Sequence, residues 1–387
     1  MSSLAVVGMP RTAHVLEESV VQARIRGLDV VLVDQPDVLA GVPRSLPAAT
    51  LAVPDMRAGA VADALRPLAP QPVVSFSELY LVLAAEVREA LGLPGVPSTV
   101  EHRVRNKAAT RARLRDRGLS SVAFAVTTLA DLPATAAAFT PPFVVKPVDL
   151  TGSIGVAAML AHSDVERYRE LFVAVDEQRE LLVEEFIGGV EYSVEGLCLN
   201  GEFHHVATTE KRTSGFPAFY ETGHLLPARD TALADRLGAY TRDVVAALDI
   251  GTAPIHAEVK VSGDRVELIE VHTRFAGDLI PLLVEHAFGT KLFGLFYDAL
   301  LHGKAPEPAP ARTVAGIRFL HEPELENGIV LPAATFDYTV TVHRGGARKE
   351  PSALTGIRIV NRRAGHVVFA APDHAAADAF LDRAVGA

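Results

Sequence analysis

His256, Glu258, Glu270, His272 and Arg274 fall within nineteen residues of one another and carry groups able to bind metal or anion. They sit on two apolar runs, Ile255–Val261 and Val266–His272, which read as a hairpin around Ser262-Gly263-Asp264. With a three-residue turn, Val261 pairs with Arg265 and Glu258 falls opposite Leu268. Side chains alternate between faces along a strand, so these five share one face. Ala257, Val259, Val261, Ile269 and Val271 take the other, a core face. A two-residue turn would send the two glutamates to opposite sides of the sheet. Two neighbouring carboxylates repel and are costly to bury without a cation. Oxygen ligands on one face suit Mg²⁺, which takes one or two carboxylates plus the phosphates of its substrate. A solvated strand with two unrelated glutamates is the other reading of the hairpin by itself.

Two further stretches add to this chemistry. Phe143–Lys146 is an apolar strand closed by Lys146, and Thr151-Gly152-Ser153-Ile154-Gly155 opens the next strand. Glycines let backbone N–H groups close on phosphate oxygens, and Lys146 adds a point charge. No Gly-Lys-Ser/Thr follows, so this is not a P-loop, and a plain hairpin turn accounts for the glycines equally well. Leu181–Phe186 is a strand ending in Glu184 and Glu185, continued by Phe186 and Ile187 to Glu191. Such an end can offer main-chain groups to adenine and a carboxylate to ribose hydroxyls, or simply be a strand leaving the core.

The elements that must hold these residues follow from hydrophobic pattern. Leu4–Gly8, Val30–Val33 and Val73–Phe76 are continuously apolar, with helices expected at Val15–Arg26 and Glu78–Leu91. Runs that apolar in strand–helix–strand order predict a parallel α/β layer. The first strand precedes a single glycine, without G-x-G-x-x-G, which disfavours a nicotinamide enzyme. Asn106–Arg117 reads as a basic helix closed by Gly118. Tyr192–Leu199 and Glu202–Thr209 form a hairpin at Asn200-Gly201. Helices follow at Ala232–Leu248, Leu279–Phe288 and Lys291–His302. Proline-rich Ala305–Arg312 is the candidate linker to short strands and a terminal helix, Ala375–Val385. The fold class is therefore α/β, with α+β character in the central region. Three units are expected: 1–100, 101–310 with a lid at about 122–187, and a small C-terminal domain at 311–387.

With 387 residues, 49% hydrophobic and 22% charged, the chain suits two or three well-buried domains. A net charge of −10 without a Lys/Arg run argues against nucleic acid. An acidic chain that handles a polyanion must place its few lysines carefully. The single cysteine, Cys198, makes no internal disulfide, fits a cytoplasmic setting, and is expected in the core. No apolar stretch approaches the roughly 20 residues that span a bilayer. The N-terminus lacks the charged start and apolar core of a signal peptide.

The order Lys107, Lys146, glycine loop, Glu184–Glu191, Glu258 and Glu270-x-His272-x-Arg274 resembles the ATP-grasp superfamily, from about Asn106 to Gly303. That resemblance implies an ATP-grasp fold with an N-terminal parallel domain. It implies ATP held by Lys107 and Lys146 under a lid formed by Gly152, Ser153 and Gly155. Glu184, Glu185, Phe186 and Ile187 would frame adenine, mainly through main-chain groups, and Glu191 would take the ribose. Glu258 and Glu270 would bind Mg²⁺, or Mn²⁺ in its place, and Arg274 would hold an acyl phosphate or substrate carboxylate. One position departs: the family usually has Asn where this chain has His272. An imidazole can ligate a metal too, and suits transition metals better. A zinc site of His and Glu ligands is a minor alternative.

The stretch from Glu210 to Pro227 is similar to the corresponding segment of bacterial L-amino-acid ligases, in which a Glu and a His three apart line the amino-acid pocket. Glu221 and His224 match, and a chance pair in a surface loop is the plainer alternative. Four residues beyond Arg274, where that branch often has a bulky residue, stands Asp278, which suggests room for a larger or cationic second substrate. The function implied is an ATP-dependent carboxylate–amine ligase, with Arg274 and Lys146 catalytic and with small-molecule substrates. Its partners would include neither nucleic acid nor membrane, and a homodimer is left open. A carboxylase or purine-pathway enzyme using bicarbonate or formate is the nearest alternative, and a non-catalytic ATP-binding regulator is another.

Overall fold

The computed structural model describes residues 3–10, 12–170, 172, 177–216, 221–307, 309–321, 336–342 and 363–383. The N-terminal sheet contains β1 (Ser3–Val7), β2 (Asp29–Asp34), β3 (Ala49–Ala52) and β4 (Val73–Val74), in the order β3-β2-β1-β4, all pairings parallel. Its central strands are buried on both faces, as their uninterrupted Val and Leu runs require. A small sheet follows, β5 (Phe124–Thr128), β6 (Phe143–Pro147), β7 (Ala157–Met159) and β8 (Glu180–Glu185), antiparallel in the order β5-β8-β6-β7. It closes over its own core of Phe143, Val145, Met159, Tyr168, Leu181 and Val183.

The largest sheet holds β9 (Val190–Leu199), β10 (Glu202–Thr213), β11 (Glu221–Leu226), β12 (Ala253–Ser262), β13 (Arg265–His272), β14 (Val314–His321), β15 (Tyr338–Val342) and β16 (Arg363–Ala371). Its order is β13-β12-β9-β10-β11-β14-β16-β15. The strands after residue 311 thus do not form a layer of their own; β14 pairs with β11 and extends the central sheet. The β9–β10 hairpin turns at Asn200 and Gly201, both at positive φ (52° and 88°), in the two-residue geometry that Asn-Gly favours. The described part of the C-terminal helix is His374–Arg383, so Val385 lies outside it.

One face of this sheet packs Val194, Cys198, Ala257, Val259, Leu268 and Val271 against Leu114 and the helix Thr231–Ala247. Cys198 is fully buried there. The other face is divided. Leu197, Ala207, Leu226 and Ile317 join the N-terminal sheet and the helices Ile280–Phe288 and Leu292–His302 in one continuous core. Within it Phe76, just after β4, stacks on Phe275, just after β13, at 6.1 Å between ring centroids. Beyond this core the same face turns polar: Glu191, Ser193, Glu195, His256, Glu258, Glu270 and His272 meet there in register.

Candidate active site

The β12–β13 hairpin differs from expectation in its turn and in its pairing, since Glu258 does not lie opposite Leu268, but the two glutamates still share one face. Ser262 pairs with Arg265 around a two-residue turn, Gly263-Asp264. That register alone would separate the glutamates. A bulge restores them: Val259 pairs with Leu268, Glu258 with Glu270, and Ile269 is left without a partner. Leu268, not Ile269, therefore faces the core, where it is 1% exposed. Glu258 and Glu270 face each other, and His256 stacks on His272 with ring centroids 5.8 Å apart.

Each carboxylate has its own cations. Lys211 on β10 places Nζ 2.8 Å from Glu258, 2.9 Å from Glu191 and 2.9 Å from Glu221, with its side chain only 1% exposed. His256 lies between Glu195 (3.0 Å) and Glu258 (3.2 Å). Burial opposes charge on Glu258, but Lys211 and His256 outweigh it and hold the carboxyl down at about 2. Burial likewise opposes charge on Lys211, and the three carboxylates overcome it and raise the ammonium well above its usual range. The His256 ring, desolvated but flanked by Glu195 and Glu258, is pushed up to about 9. Glu270 is also kept ionised against its burial, by His272 and by Lys107, whose Nζ is 3.3 Å away.

Lys107 opens the helix Lys107–Asp116, where Asn106 caps the N-terminus by accepting from the Ala109 N–H at 2.9 Å. Lys146 and Lys107 both act on Glu270, so the structure brings the two lysines to the same corner. Lys146 is buried and clamped by Glu184, whose other oxygen accepts from Arg111 at 2.9 Å. Burial disfavours the Lys146 ammonium most, with repulsion from Arg111 and Lys107 added, and its pKa falls despite Glu184. The Glu184 carboxylate thus serves the lysine and arginine, and only its main chain is left to frame a base. Glu185 turns outward to Arg265 (2.5 Å) and to the Ala123 N–H (3.2 Å). Phe186 meets Phe216 edge-on at 5.3 Å, under Lys260, while the Ile187 carbonyl accepts from Lys260 at 3.2 Å. Glu191, expected at the ribose, gives one oxygen to Lys211. Gly152, Ser153 and Gly155 form a tight turn with φ of 65°, 56° and 73°.

Arg274 donates to Glu78 at 2.6 and 3.2 Å and to its neighbour's carbonyl, Phe275, at 2.9 Å. The Phe76–Phe275 stack sets this contact, since each partner lies one or two residues from a ring. His272 has Nδ1 3.4 Å from Glu78 and Nε2 3.1 Å from Glu270. The latter nitrogen is buried and makes no hydrogen bond among the described residues. Farther along the face, His224 is fully buried with Nε2 3.3 Å from Asp278. Asp278 also accepts from Arg363 at 2.6 Å, and Arg363 donates to Glu221 as well. Asp278 is therefore a paired acid, not a bare one awaiting a cation. Pro217 to Tyr220, in the stretch matched to the amino-acid pocket, lie outside the described residues.

Sequence reasoning missed Lys211, Glu78, Arg111, Glu195 and Arg363. Glu78 follows the carboxyl end of a parallel strand, where ligands of α/β sheets gather, and Lys211 lies two residues beyond the expected end of its strand.

Residues 139–281 match the family model described as ATP-grasp domain. Dapdiamide A synthase of Enterobacter agglomerans is 31% identical over 172 residues, 42% of this chain and 39% of that protein. Alanine–anticapsin ligase of Bacillus subtilis is 28% identical over 259 residues, 60% of this chain and 54% of that one. The chain thus spans about half the length of the curated relatives it matches. The crystal structure of an L-amino acid ligase from Bacillus licheniformis superposes with a TM-score of 0.79, covering 99% of this chain and 97% of that one at 22% identity. Among the described residues no helix is long and apolar enough to cross a membrane. Residues 139–281 therefore form an ATP-grasp domain in a chain of ATP-grasp fold, similar in part of its sequence to an alanine–anticapsin ligase and in fold to an L-amino acid ligase.

Proposed function

We propose that this protein is an ATP-dependent ligase that joins the carboxylate of one amino acid to the amine of a second substrate, releasing ADP and phosphate. The observation that carries it is the pairing of Glu258 with Glu270 on one sheet face, with Lys107 on Glu270 and Arg274 at the strand's end. The names of the curated relatives, an alanine–anticapsin ligase and a dapdiamide synthase, support an amide product.

Glu258 and Glu270 fit Mg²⁺ or Mn²⁺: both carboxylates are held ionised, and the buried Nε2 of His272 beside Glu270 adds a nitrogen donor. Bound there, the ion would supply charge neutralisation for the triphosphate. Lys107 and Lys146 would hold phosphate oxygens, under the turn formed by Gly152, Ser153 and Gly155. The main chain of Glu184, Glu185, Phe186 and Ile187 would frame adenine. The second oxygen of Glu191 would meet the ribose. Glu221 and His224 would line the amino-acid pocket, with the substrate ammonium on Glu221.

In the first step a carboxylate oxygen of the amino acid attacks the γ-phosphorus, the bond to the β–γ bridging oxygen breaks, and ADP carries away the electron pair. In the second, the amine nitrogen attacks the acyl carbon, gives up a proton and expels phosphate. Arg274 would stabilise oxygen charge in both steps, as a fixed donor aimed at developing charge does.

The test is isotopic. With an amino acid carrying ¹⁸O in its carboxylate, Mg²⁺ and ATP, one ¹⁸O should move into the released phosphate for each amide formed. Phosphate free of ¹⁸O alongside amide, or ADP release driven by bicarbonate or formate instead of amino acids, rejects the proposal.

A further inference from the structure

When the second substrate of the proposed ligase is itself an amino acid, three charged groups have to be recognised besides the reacting carboxylate. The first substrate brings an ammonium. The second brings its attacking nitrogen and a carboxylate that stays free, and this last group needs a fixed cation. The cations around the metal carboxylates are already enclosed. Side-chain exposure is 1% for Lys211, 4% for Arg111, 5% for Lys146, 10% for Lys107 and 15% for Arg274. Arg363, at 27%, is the most open of the set.

Arg363 begins β16 and arrives from the far end of the chain. Its guanidinium bridges Glu221 and Asp278 and lies over the Phe319 ring, 3.7 Å from the centroid. Phe319 also touches His224 edge-on at 5.4 Å. The aromatic face thus fixes the guanidinium and the imidazole together. Asp278 is held at a backbone cost: it and Leu279 both have positive φ, 54° and 59°, which L side chains rarely adopt. Strain of this kind persists where surrounding contacts over-determine it, commonly at ligand sites. Here the contacts are His224 on one oxygen of Asp278 and Arg363 on the other.

A half-open Arg–Asp pair is complementary to a zwitterion. A carboxylate can take the guanidinium in the bidentate manner that Arg favours, while the nitrogen end takes Asp278. Inserting the substrate exchanges partners without leaving a charge unpaired, which is what keeps such insertion inexpensive. A cationic amine has no such exchange: Asp278 would gain a new partner while Arg363 lost one.

We infer that Arg363 receives the free carboxylate of the amine-donating amino acid and is the residue that sets the preference for such a nucleophile over its carboxamide or a polycationic amine. This rests on the ligase reading above. It assigns a specificity role to the last strand of the central sheet.

The experiment compares a nucleophile amino acid with its carboxamide, using amide product as readout, in wild type, Arg363→Gln and Arg363→Lys. Wild type should show a KM at least tenfold lower for the amino acid than for the carboxamide. In Arg363→Gln that preference should shrink to below threefold, through a higher KM for the amino acid, while the KM for the first substrate moves less than threefold. Arg363→Lys, which keeps the charge, should retain an intermediate preference and controls for folding. Amide formation by Arg363→Gln with the tenfold preference intact overturns this inference alone. So does an equal rise in KM for both substrates, the mark of a merely structural arginine. Wild-type protein that forms no amide from any amino-acid pair overturns the ligase reading, and this inference with it.

Discussion

Glu101 offers a measurement that depends on burial and on little else. It sits on the helix Ser98–Arg105, 3% exposed, and accepts from the Thr273 hydroxyl at 2.5 Å. Thr273 lies between His272 and Arg274, so this carboxyl supports the end of β13 from behind. Burial raises its pKa to about 7 from an ordinary 4.5, against the pull of Thr273 and Arg88. Glu78, Arg105 and His272 line the same small cavity. An acid with a raised folded-state pKa keeps its proton in the native protein after the unfolded chain has lost it. Between pH 4.5 and pH 7 the native state binds more protons, and stability falls as pH rises. Two and a half units at 1.36 kcal/mol each give about 3 kcal/mol, complete by about pH 8.

Glu101→Gln removes the titration while keeping the shape and an acceptor for Thr273. The variant and the wild type should be equally stable near pH 4. They should then diverge until the variant is about 3 kcal/mol more stable at pH 8. Other groups titrate alike in both proteins and cancel in the difference. The chain has no tryptophan, so urea unfolding is followed by circular dichroism in half-unit pH steps. Parallel stability curves across that range would mean that Thr273 and Arg88 compensate the burial, and the reasoning would fail.

Three more outcomes follow from the buried charges. Glu184→Gln leaves Lys146 and Arg111 without their shared counter-ion and should cost about 3–5 kcal/mol, read from denaturation; a loss under about 1 kcal/mol would mean the pair is solvated. Lys211→Met leaves Glu191, Glu221 and Glu258 facing one another, so the variant should melt lower than wild type and gain more from added Mg²⁺. Equal Mg²⁺ shifts in the two proteins would separate Lys211 from the proposed metal site. Arg274→Ala should lower amide turnover by about 3–4 kcal/mol of barrier, a hundred- to thousand-fold, and should also lower the melting temperature, because Glu78 loses its guanidinium partner; turnover within threefold would remove Arg274 from the chemistry.

What the sequence could disclose here was parity, and what it could not was partnership. The apolar runs of β1, β2 and β4 identify a parallel layer because strands buried on both faces need no alternation. Asn200-Gly201 identifies its hairpin because few pairs accept two positive φ values. The β12–β13 hairpin was legible for a different reason. Its turn is one residue shorter than expected, and the bulge at Ile269 shifts the register by one more in the same direction. The two displacements add to two residues, so side-chain parity survives and the partner of Glu258 changes from the expected Leu268 to Glu270. Nothing in Leu268-Ile269-Glu270 marks a bulge, because either apolar residue suits either state.

Partnership is a different kind of information. Glu184 was legible as an acid at a strand end, yet its role is set by Arg111, 73 residues away, and by Lys146 on the neighbouring strand. Asp278 looked like an invitation to a cation only while Arg363, 85 residues on, was out of view. A buried charge has no fixed meaning by type, since whichever group meets it decides whether it binds substrate, braces a lysine or balances a metal ligand. The face was therefore recoverable from periodicity. The division of labour along it, from Lys211 among three carboxylates to Arg363 between two, required the sheet to be assembled first.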